Sequence, residues 1–254
     1  MEKVIVLIPS RLKSTRLPNK PLVDVNGKTL VHRVYEEAVK IGFPTYCCID
    51  DEQVAKEIES FGGKYIMTDS ALPSGSDRIY QALTKIEKET GKKYDVVVNF
   101  QGDSLNVDHN VVKELVKLLI EKKCDITTAA LRMKEEDYGN PAMVKIAMDY
   151  DPNTKCGNCL YFSRALIPFD RDGIGAPIFH HVGIYVYKRD ALEGFVKAPE
   201  SQLEKTEKLE QLRALSNGMK ICAKYFDEIK IYPKAPADIN TPEELEECKK
   251  YFIR

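Results

Sequence analysis

Apolar positions fall into two alternating textures along the first half of the chain. Short continuous apolar runs, "KVIVLIP", "TYCCIDD", "KYIMT" and "YDVVVNF", have the length and β-branched content of buried strands. Between them, apolar residues recur at helical spacing. "LVHRVYEEAVKIG" sets Leu30, Val31, Val34, Tyr35 and Ala38 on one face and stops at Gly42, and "EQVAKEIESFGG", "DRIYQALTKIEKET" and "HNVVKELVKLLIEKK" also read as helices. Alternation of strand and helix predicts a mainly parallel sheet with covering helices, an α/β fold.

The texture changes after Cys124. "CDITTAALRM", "AMVKIAMD", "CLYFSR" and "VGIYVYKR" are short strands without long helices between them, which predicts an antiparallel extension of the sheet. "LEKTEKLEQLRALSNG" then predicts one helix with Leu209, Leu212 and Leu215 packed inward and Gly218 as its stop. In the last helix, "TPEELEECKKYF", Thr241 is the expected N-cap, Pro242 takes the first helical position, and Glu243 and Glu244 occupy the first turn. With no repeat, low-complexity tract or long linker, residues 1–254 read as a single domain with an inserted region at about 124–190.

Composition removes several classes of function. The 254 residues are 43% hydrophobic and 30% charged with a formal net charge of -1, so no positive excess points to nucleic acid, and a small-molecule partner is expected. "MEKVIVLIP" is too short for a signal-peptide core and no apolar run spans a bilayer, which predicts a cytoplasmic protein without a membrane partner. The seven cysteines then read as reduced thiols. "KCGNC" gives Cys156 and Cys159 the spacing of a zinc pair, but it has no second pair, so it is read as a loop with two incidental thiols.

Candidate chemistry lies just after the strands, because open parallel sheets bind ligands beyond the carboxyl ends of their strands. "IPSRLKSTRLPNKPL" follows the first strand and carries Arg11, Arg16 and Lys20, cations suited to several phosphate oxygens. It is neither a Walker A loop nor a GxGxxG turn. "NFQGDS" follows "YDVVV", and Asp103, beside Gln101 and Gly102, suits a Mg2+ ion shared with substrate phosphates; the plainer role is a local turn carboxylate. "PSGSDR" opens a helix with Ser74, Gly75 and Ser76 as donors, Ser76 being the expected cap. In "HHVGIYVYK", His180 and His181 face opposite ways, so one of them points into a given pocket; Glu210 and Gln211, taken alone, read as a solvated helix face.

Taken in order, these segments resemble the 3-deoxy-manno-octulosonate (Kdo) cytidylyltransferases, the CMP-Kdo synthetases. The resemblance covers nearly the whole chain, through "IPSRLKSTRLPNKPL", "SGSDR", "NFQGD", "NPAMVKI", "LYFSRALIPFDRD", "HHVGIYVYK", "EKLEQLRAL" and "NTPEELEE". It implies a Rossmann-like nucleotidyltransferase fold whose antiparallel extension, around "LYFSRALIP", takes part in homodimerisation. The implied reaction couples CTP to Kdo with Mg2+, giving CMP-Kdo and pyrophosphate and activating the sugar acid for lipopolysaccharide or capsule assembly.

By the same resemblance Arg11, Arg16 and Lys20 grip the triphosphate, with Asp103 on the metal. Pro9, Ser10, Ser74, Gly75, Arg78 and Gln101 fall on the nucleotide side, Gln101 also reaching the sugar. Arg164, His181, Tyr185, Glu210 and Gln211 fall on the sugar side. Two departures stand out: the family usually reads QGDEP where this chain has Ser104 and Leu105, and usually has Asp directly before TPE where this chain has Asn240. An amide oxygen coordinates a cation without adding charge, and Asp238, on the same face in an extended segment, is the alternative ligand. The departures leave open another acidic acceptor, such as an amino-substituted Kdo, another ulosonic acid or a phosphonate, and also nucleotide binding without turnover.

Overall fold

The computed structural model describes residues 3–14 and 16–253; Met1, Glu2 and Thr15, which belong to the opening run and loop, and Arg254 lie outside them. Two compact units divide the chain, Met1–Lys113 with Ile229–Arg254, and Glu114–Glu228. The region expected as an insertion, about 124–190, falls within the second unit, which extends past it at both ends.

The first unit is built on four parallel strands, β1 (Val4–Ser10), β2 (Thr45–Ile49), β3 (Tyr65–Met67) and β4 (Val96–Asn99), in the order β3-β2-β1-β4. Ile5, Val6, Leu7 and Ile8 are buried, as are Val97 and Val98. Continuous apolar runs such as these mark strands covered on both faces. Helices α1 (Leu30–Val39), α2 (Glu52–Ser60) and α3 (Gly75–Thr90) supply the cover. In α1, Leu30, Val31, Val34 and Ala38 are buried, and the Thr29 hydroxyl caps the first turn by accepting the His32 N–H. The cap of α3 is Ser74 rather than the expected Ser76: its hydroxyl accepts the Asp77 N–H, and Ser76 is buried within the first turn.

Strand order places the decisive feature. From β1 the chain winds outward through β2 and β3, then returns to β4 on the other side of β1. The direction of winding reverses between β1 and β4, and such a switch point opens a crevice beyond the carboxyl ends of the two strands.

Helix α4 (His109–Glu121) follows. The second unit contains β5 (Ile126–Arg132), β6 (Lys145–Asp151), β7 (Cys156–Ser163) and β8 (Phe179–Lys188), then α5 (Arg189–Lys197), α6 (Gln202–Glu207), α7 (Gln211–Ser216) and β9 (Ile221–Phe226). Its pairings are antiparallel for β5–β8, β6–β7, β6–β8 and β7–β9, and parallel for β5–β9. The antiparallel texture expected after Cys124 is therefore present, although Cys156 and Cys159 sit on strand β7 instead of in a loop. All seven cysteines are buried free thiols.

One expected helix divides in two. Lys208 takes a left-handed conformation (φ 56°) and closes α6 through its N–H to the Glu204 carbonyl, after which α7 begins at Gln211. The break turns Leu209 into the core, where it is 6% exposed, while Leu203, within α6, is left 44% exposed. A continuous helix would have kept the leucine spacing but not that burial. Glu204 holds the corner from both sides, completing the Ser201 capping box and pairing with Arg213 at 2.6 Å. The final helix, α8 (Pro242–Lys249), returns to the first unit with the Thr241 and Glu244 capping box that its sequence specifies.

Candidate active site

Three backbone segments of the first unit meet at the switch point. A Cβ on Gly102 would stand 2.5 Å from the Pro9 carbonyl oxygen, so only glycine lets the end of β4 pass this close to the end of β1. A Cβ on Gly75 would lie 3.5 Å from the Pro9 ring, which brings the amino end of α3 to the same place. Ser10 is buried beside Gly102. Pro9, Ser10, Ser74, Gly75 and Gln101 are thus gathered around one strand end, and Gln101 donates to Asn99 Oδ1 at 3.1 Å.

Arg78 stands behind this floor. It is 3% exposed, with Nη2 bound to Asp50 Oδ2 at 3.0 Å and Nη1 bound to Thr68 Oγ1. The other Asp50 oxygen accepts the Leu12 N–H at 3.1 Å. Arg78, expected on the nucleotide side, therefore acts on the opening loop through Asp50. Asp50 was not singled out in the sequence, although it follows β2 as Asp103 follows β4.

The opening loop curls around a concavity of about 360 Å³ lined by Arg11, Leu12, Lys13, Ser14, Pro18 and Asn19. Arg11, Lys13 and Arg16 are exposed. Lys20 is half-buried on a short 3-10 turn, Lys20–Leu22, that follows left-handed Asn19. Its ammonium donates to Asp103 Oδ2 at 2.5 Å and to Asn240 Oδ1 at 3.1 Å, and Arg16 Nη2 reaches the same Asn240 oxygen at 3.2 Å. Two loop cations, the Asp103 carboxylate and the Asn240 amide thus form one polar cluster.

The segment before α8 is fastened to the loop after β4. Ile239 N–H donates to the Asp103 carbonyl at 3.1 Å, and Ser104 Oγ donates to Asp238 Oδ1 at 2.6 Å. Buried Asn106 reinforces the join, its side-chain amide donating to the Tyr232, Ala235 and Pro236 carbonyls and accepting the Tyr232 N–H. Burial raises the Asp238 pKa, the nearby Asp103 carboxylate raises it further, and the Ser104 hydrogen bond opposes both. Neither Ser104 nor Asn106 was identified as a supporting residue from the sequence, because their partners lie more than a hundred positions away.

Fitness for Mg2+ follows from the donor chemistry. The carboxylates of Asp103 and Asp238 and the Asn240 amide supply oxygen alone, the preference of a hard cation. No group of three or more His, Cys, Asp and Glu suited to a metal occurs among the described residues. Two carboxylates and an amide, Asp103, Asp238 and Asn240, instead suit an ion that completes its coordination with phosphate oxygens and water, as Mg2+ commonly does.

The residues expected on the sugar side lie in the second unit. His181 is 8% exposed, and burial, with a smaller contribution from His180, pushes its pKa down to about 3. Its Nε2 lies 3.1 Å from Thr128 Oγ1, whose own proton faces the Val182 and Ile184 carbonyls at 3.0 and 2.8 Å. Thr128 therefore accepts from Nε2–H, which leaves Nδ1 as the acceptor nitrogen of a neutral imidazole. Tyr185 lies against that ring, with centroids 5.4 Å apart, and burial holds its phenol protonated. His180 turns elsewhere, with Nδ1 at 3.1 Å from the Val144 carbonyl.

Arg164 is committed to backbone, Nε to the Glu207 carbonyl at 2.8 Å and Nη1 to the Pro141 carbonyl at 2.9 Å. Fully buried Lys145 braces the same turn, donating to the Asn140 and Arg164 carbonyls at 2.7 and 3.0 Å. Glu210 is exposed just ahead of α7, whereas Gln211 is buried, correcting the solvated face expected for the pair. Gln211 Nε2 is a buried donor without a hydrogen-bond partner among the described residues. Leaving such a donor unmet costs about 1–3 kcal/mol, which a ligand oxygen would recover.

A parallel switch point with a cationic loop on one side and a carboxylate on the other suits a phosphate-bearing ligand, as an α/β nucleotidyltransferase requires. Residues 5–221 match the family profile described as Cytidylyltransferase. A 3-deoxy-manno-octulosonate cytidylyltransferase of Paramagnetospirillum magneticum is 37% identical over 96% of both chains. One of Brucella ovis is 39% identical over 98% of this chain and 95% of its own. The chain belongs to this family, the CMP-Kdo synthetases. The solved structure of a CMP:2-keto-3-deoxy-manno-octonic acid synthetase complexed with CTP superposes with a TM-score of 0.87 at 32% identity, covering 98% of each chain. A 4-diphosphocytidyl-2C-methyl-D-erythritol synthase of Anaerococcus prevotii shares the fold, with a TM-score of 0.62 at 11% identity over 100% of this chain and 99% of its own.

Proposed function

We propose that this CTP-dependent nucleotidyltransferase transfers CMP from CTP to the anomeric hydroxyl of Kdo, releasing pyrophosphate and forming CMP-Kdo. The observation that carries the reading is the convergence of Arg16, Lys20 and Asp103 at the switch point of a chain 37% identical to a Kdo cytidylyltransferase over nearly its full length.

The anomeric oxygen attacks the α-phosphorus, a phosphorus–oxygen bond forms, and the bond to the β-phosphate bridging oxygen breaks as pyrophosphate leaves. Arg11, Arg16 and Lys20 neutralise the triphosphate and the departing pyrophosphate, a fixed electrostatic contribution. Mg2+, held through Asp103 with Asp238 or Asn240, would add Lewis-acid neutralisation of the phosphoryl oxygens. The amino end of α3 and the close glycine approaches at Pro9 position the nucleotide. On the acceptor side, neutral His181 offers Nδ1 to a sugar hydroxyl and Gln211 offers its unmet Nε2–H, both suited to a hydroxyl-rich acid.

Three further parts of this reading concern setting. A cytoplasmic location is consistent with the lack of any helix, among the described residues, long and apolar enough to cross a membrane. The product would supply an activated acidic sugar for lipopolysaccharide or capsule assembly, as the family resemblance implies. Homodimerisation is supported by Leu160, Leu166, Phe169 and Ile174, which are 68%, 46%, 87% and 82% exposed along one stretch of the second unit. Light scattering is expected to give twice the 28.8 kDa chain mass; a monomer at micromolar concentration contradicts the dimer.

The transfer itself is tested by phosphorus NMR of CTP, Kdo, Mg2+ and protein. Pyrophosphate and a new phosphodiester are expected to rise together in equal amounts. Free CMP or CDP in place of the diester would overturn the transfer reading.

A further inference from the structure

The candidate cation site contains more oxygen donors than Asp103, and they are not equivalent. Glu244 is committed, its Oε2 accepting the Asn240 and Thr241 N–H groups at 2.7 and 2.9 Å. Asn240 is neutral, and its Oδ1 already accepts from Lys20 at 3.1 Å and Arg16 at 3.2 Å. Those two donors engage both lone pairs of the single amide oxygen, leaving none free for a cation. Asp238 is a carboxylate, and a different kind of partner holds it, the neutral Ser104 hydroxyl at 2.6 Å, on one oxygen alone.

The same two residue pairs bring the carboxylates together. Ile239 N–H binds the Asp103 carbonyl at 3.1 Å while Ser104, the next residue after Asp103, binds Asp238, the residue before Ile239. One main-chain bond and one side-chain bond thus clamp 103–104 against 238–239. We propose that Ser104 is a positioning residue that aims Asp238, rather than Asn240, beside Asp103 as the second anionic ligand of the catalytic divalent cation. The hydroxyl suits this role because it donates to one carboxylate oxygen without supplying a competing positive charge. The inference rests on the metal-dependent reading above and decides which residue completes its site.

The test is Mn2+ affinity, read by water-proton relaxation in the protein–CTP mixture without acceptor and corrected for Mn2+ bound to free CTP, so that turnover plays no part. Ser104→Ala is expected to weaken Mn2+ binding by about 10-fold, the range for loss of an outer-shell partner. Ser104→Thr, which keeps the hydroxyl, is expected to stay within about twofold of the unsubstituted protein, and metal-free CTP affinity is expected to be the same in both variants. Asp238→Asn should weaken Mn2+ more than Ser104→Ala, Asn240→Ala less, and Asn240→Asp placed in the Asp238→Asn background should restore binding. A packing role for Ser104 would lower the melting temperature without moving Mn2+ affinity, which overturns the proposal. Full Mn2+ affinity in Asp238→Asn together with its loss in Asn240→Ala also overturns it. Should Asp103→Asn leave Mn2+ affinity unchanged as well, the metal reading itself fails, a result distinct from either.

Discussion

Asp103→Asn is expected to lower the rate of pyrophosphate release by on the order of 10³-fold while leaving the melting temperature nearly unchanged. The substitution keeps the shape of the side chain and removes its charge. The charge holds Lys20 at 2.5 Å and is the first anionic ligand of the proposed metal. The fold is spared because the bond fastening this loop to the segment before α8 uses the Asp103 main-chain carbonyl, which accepts the Ile239 N–H. Initial rates at saturating CTP and Kdo, set beside thermal melts of the same preparations, check both halves. A rate within about threefold of the unsubstituted protein, far short of the effect of removing a fixed transition-state charge, would remove Asp103 from the chemistry.

Arg78→Ala is expected to be the most destabilising substitution at the site, by about 3–5 kcal/mol, because it leaves the Asp50 carboxylate buried without its cation. The two side chains are 3% and 9% exposed and 3.0 Å apart. For a chain of this size the melting temperature should fall by on the order of 10 °C. Urea unfolding measures the free energy directly. Replacing both partners with apolar residues, Arg78→Met with Asp50→Leu, should recover much of the loss because no unpaired charge remains. That double variant should still bind CTP more weakly, since Asp50 also receives the Leu12 N–H and so shapes the opening loop. If the double variant binds CTP normally, the loop does not depend on Asp50. If Arg78→Ala melts with the unsubstituted protein, the pair is not a pillar of the fold.

The parts of this molecule legible in its sequence are those governed by near neighbours. β1 and β4 announce themselves because both faces are buried and every position before the polar last residue, Ser10 or Asn99, is apolar, and α8 announces itself through Thr241, Pro242 and Glu244. Asp103 and the cations of the opening loop stand out in the sequence for a related reason: polar residues in the loop that leaves a buried strand have little to do in the core. Tertiary forces hid the rest. Lys208 adopts a left-handed conformation because Leu209 must turn inward, a demand that the leucine spacing does not reveal. Strand β9 follows a helix after one glycine turn, and α5 is a nine-residue helix that starts directly at the end of β8, so neither stood apart as an element of its own.

Distance along the chain had the same effect on the site. Arg78 reads as a nucleotide-side residue, and only the fold shows that Asp50, 28 residues earlier, takes its guanidinium. Ser104 and Asp238 are 134 residues apart, and only the fold shows that one holds the other. Gln211 looked like part of a wet helix face because the break at Lys208, which the sequence does not announce, puts it at the start of a new helix and inside.

The central claim, CTP-dependent activation of Kdo, is tested most directly by the initial rate of pyrophosphate release from CTP with Mg2+, comparing Kdo, other ulosonic acids, other acidic acceptors and no acceptor. The account predicts fast release with Kdo, slower release with its relatives and none above background without an acceptor. Release that ignores the acceptor, or that is fastest with an acid other than Kdo, would contradict it.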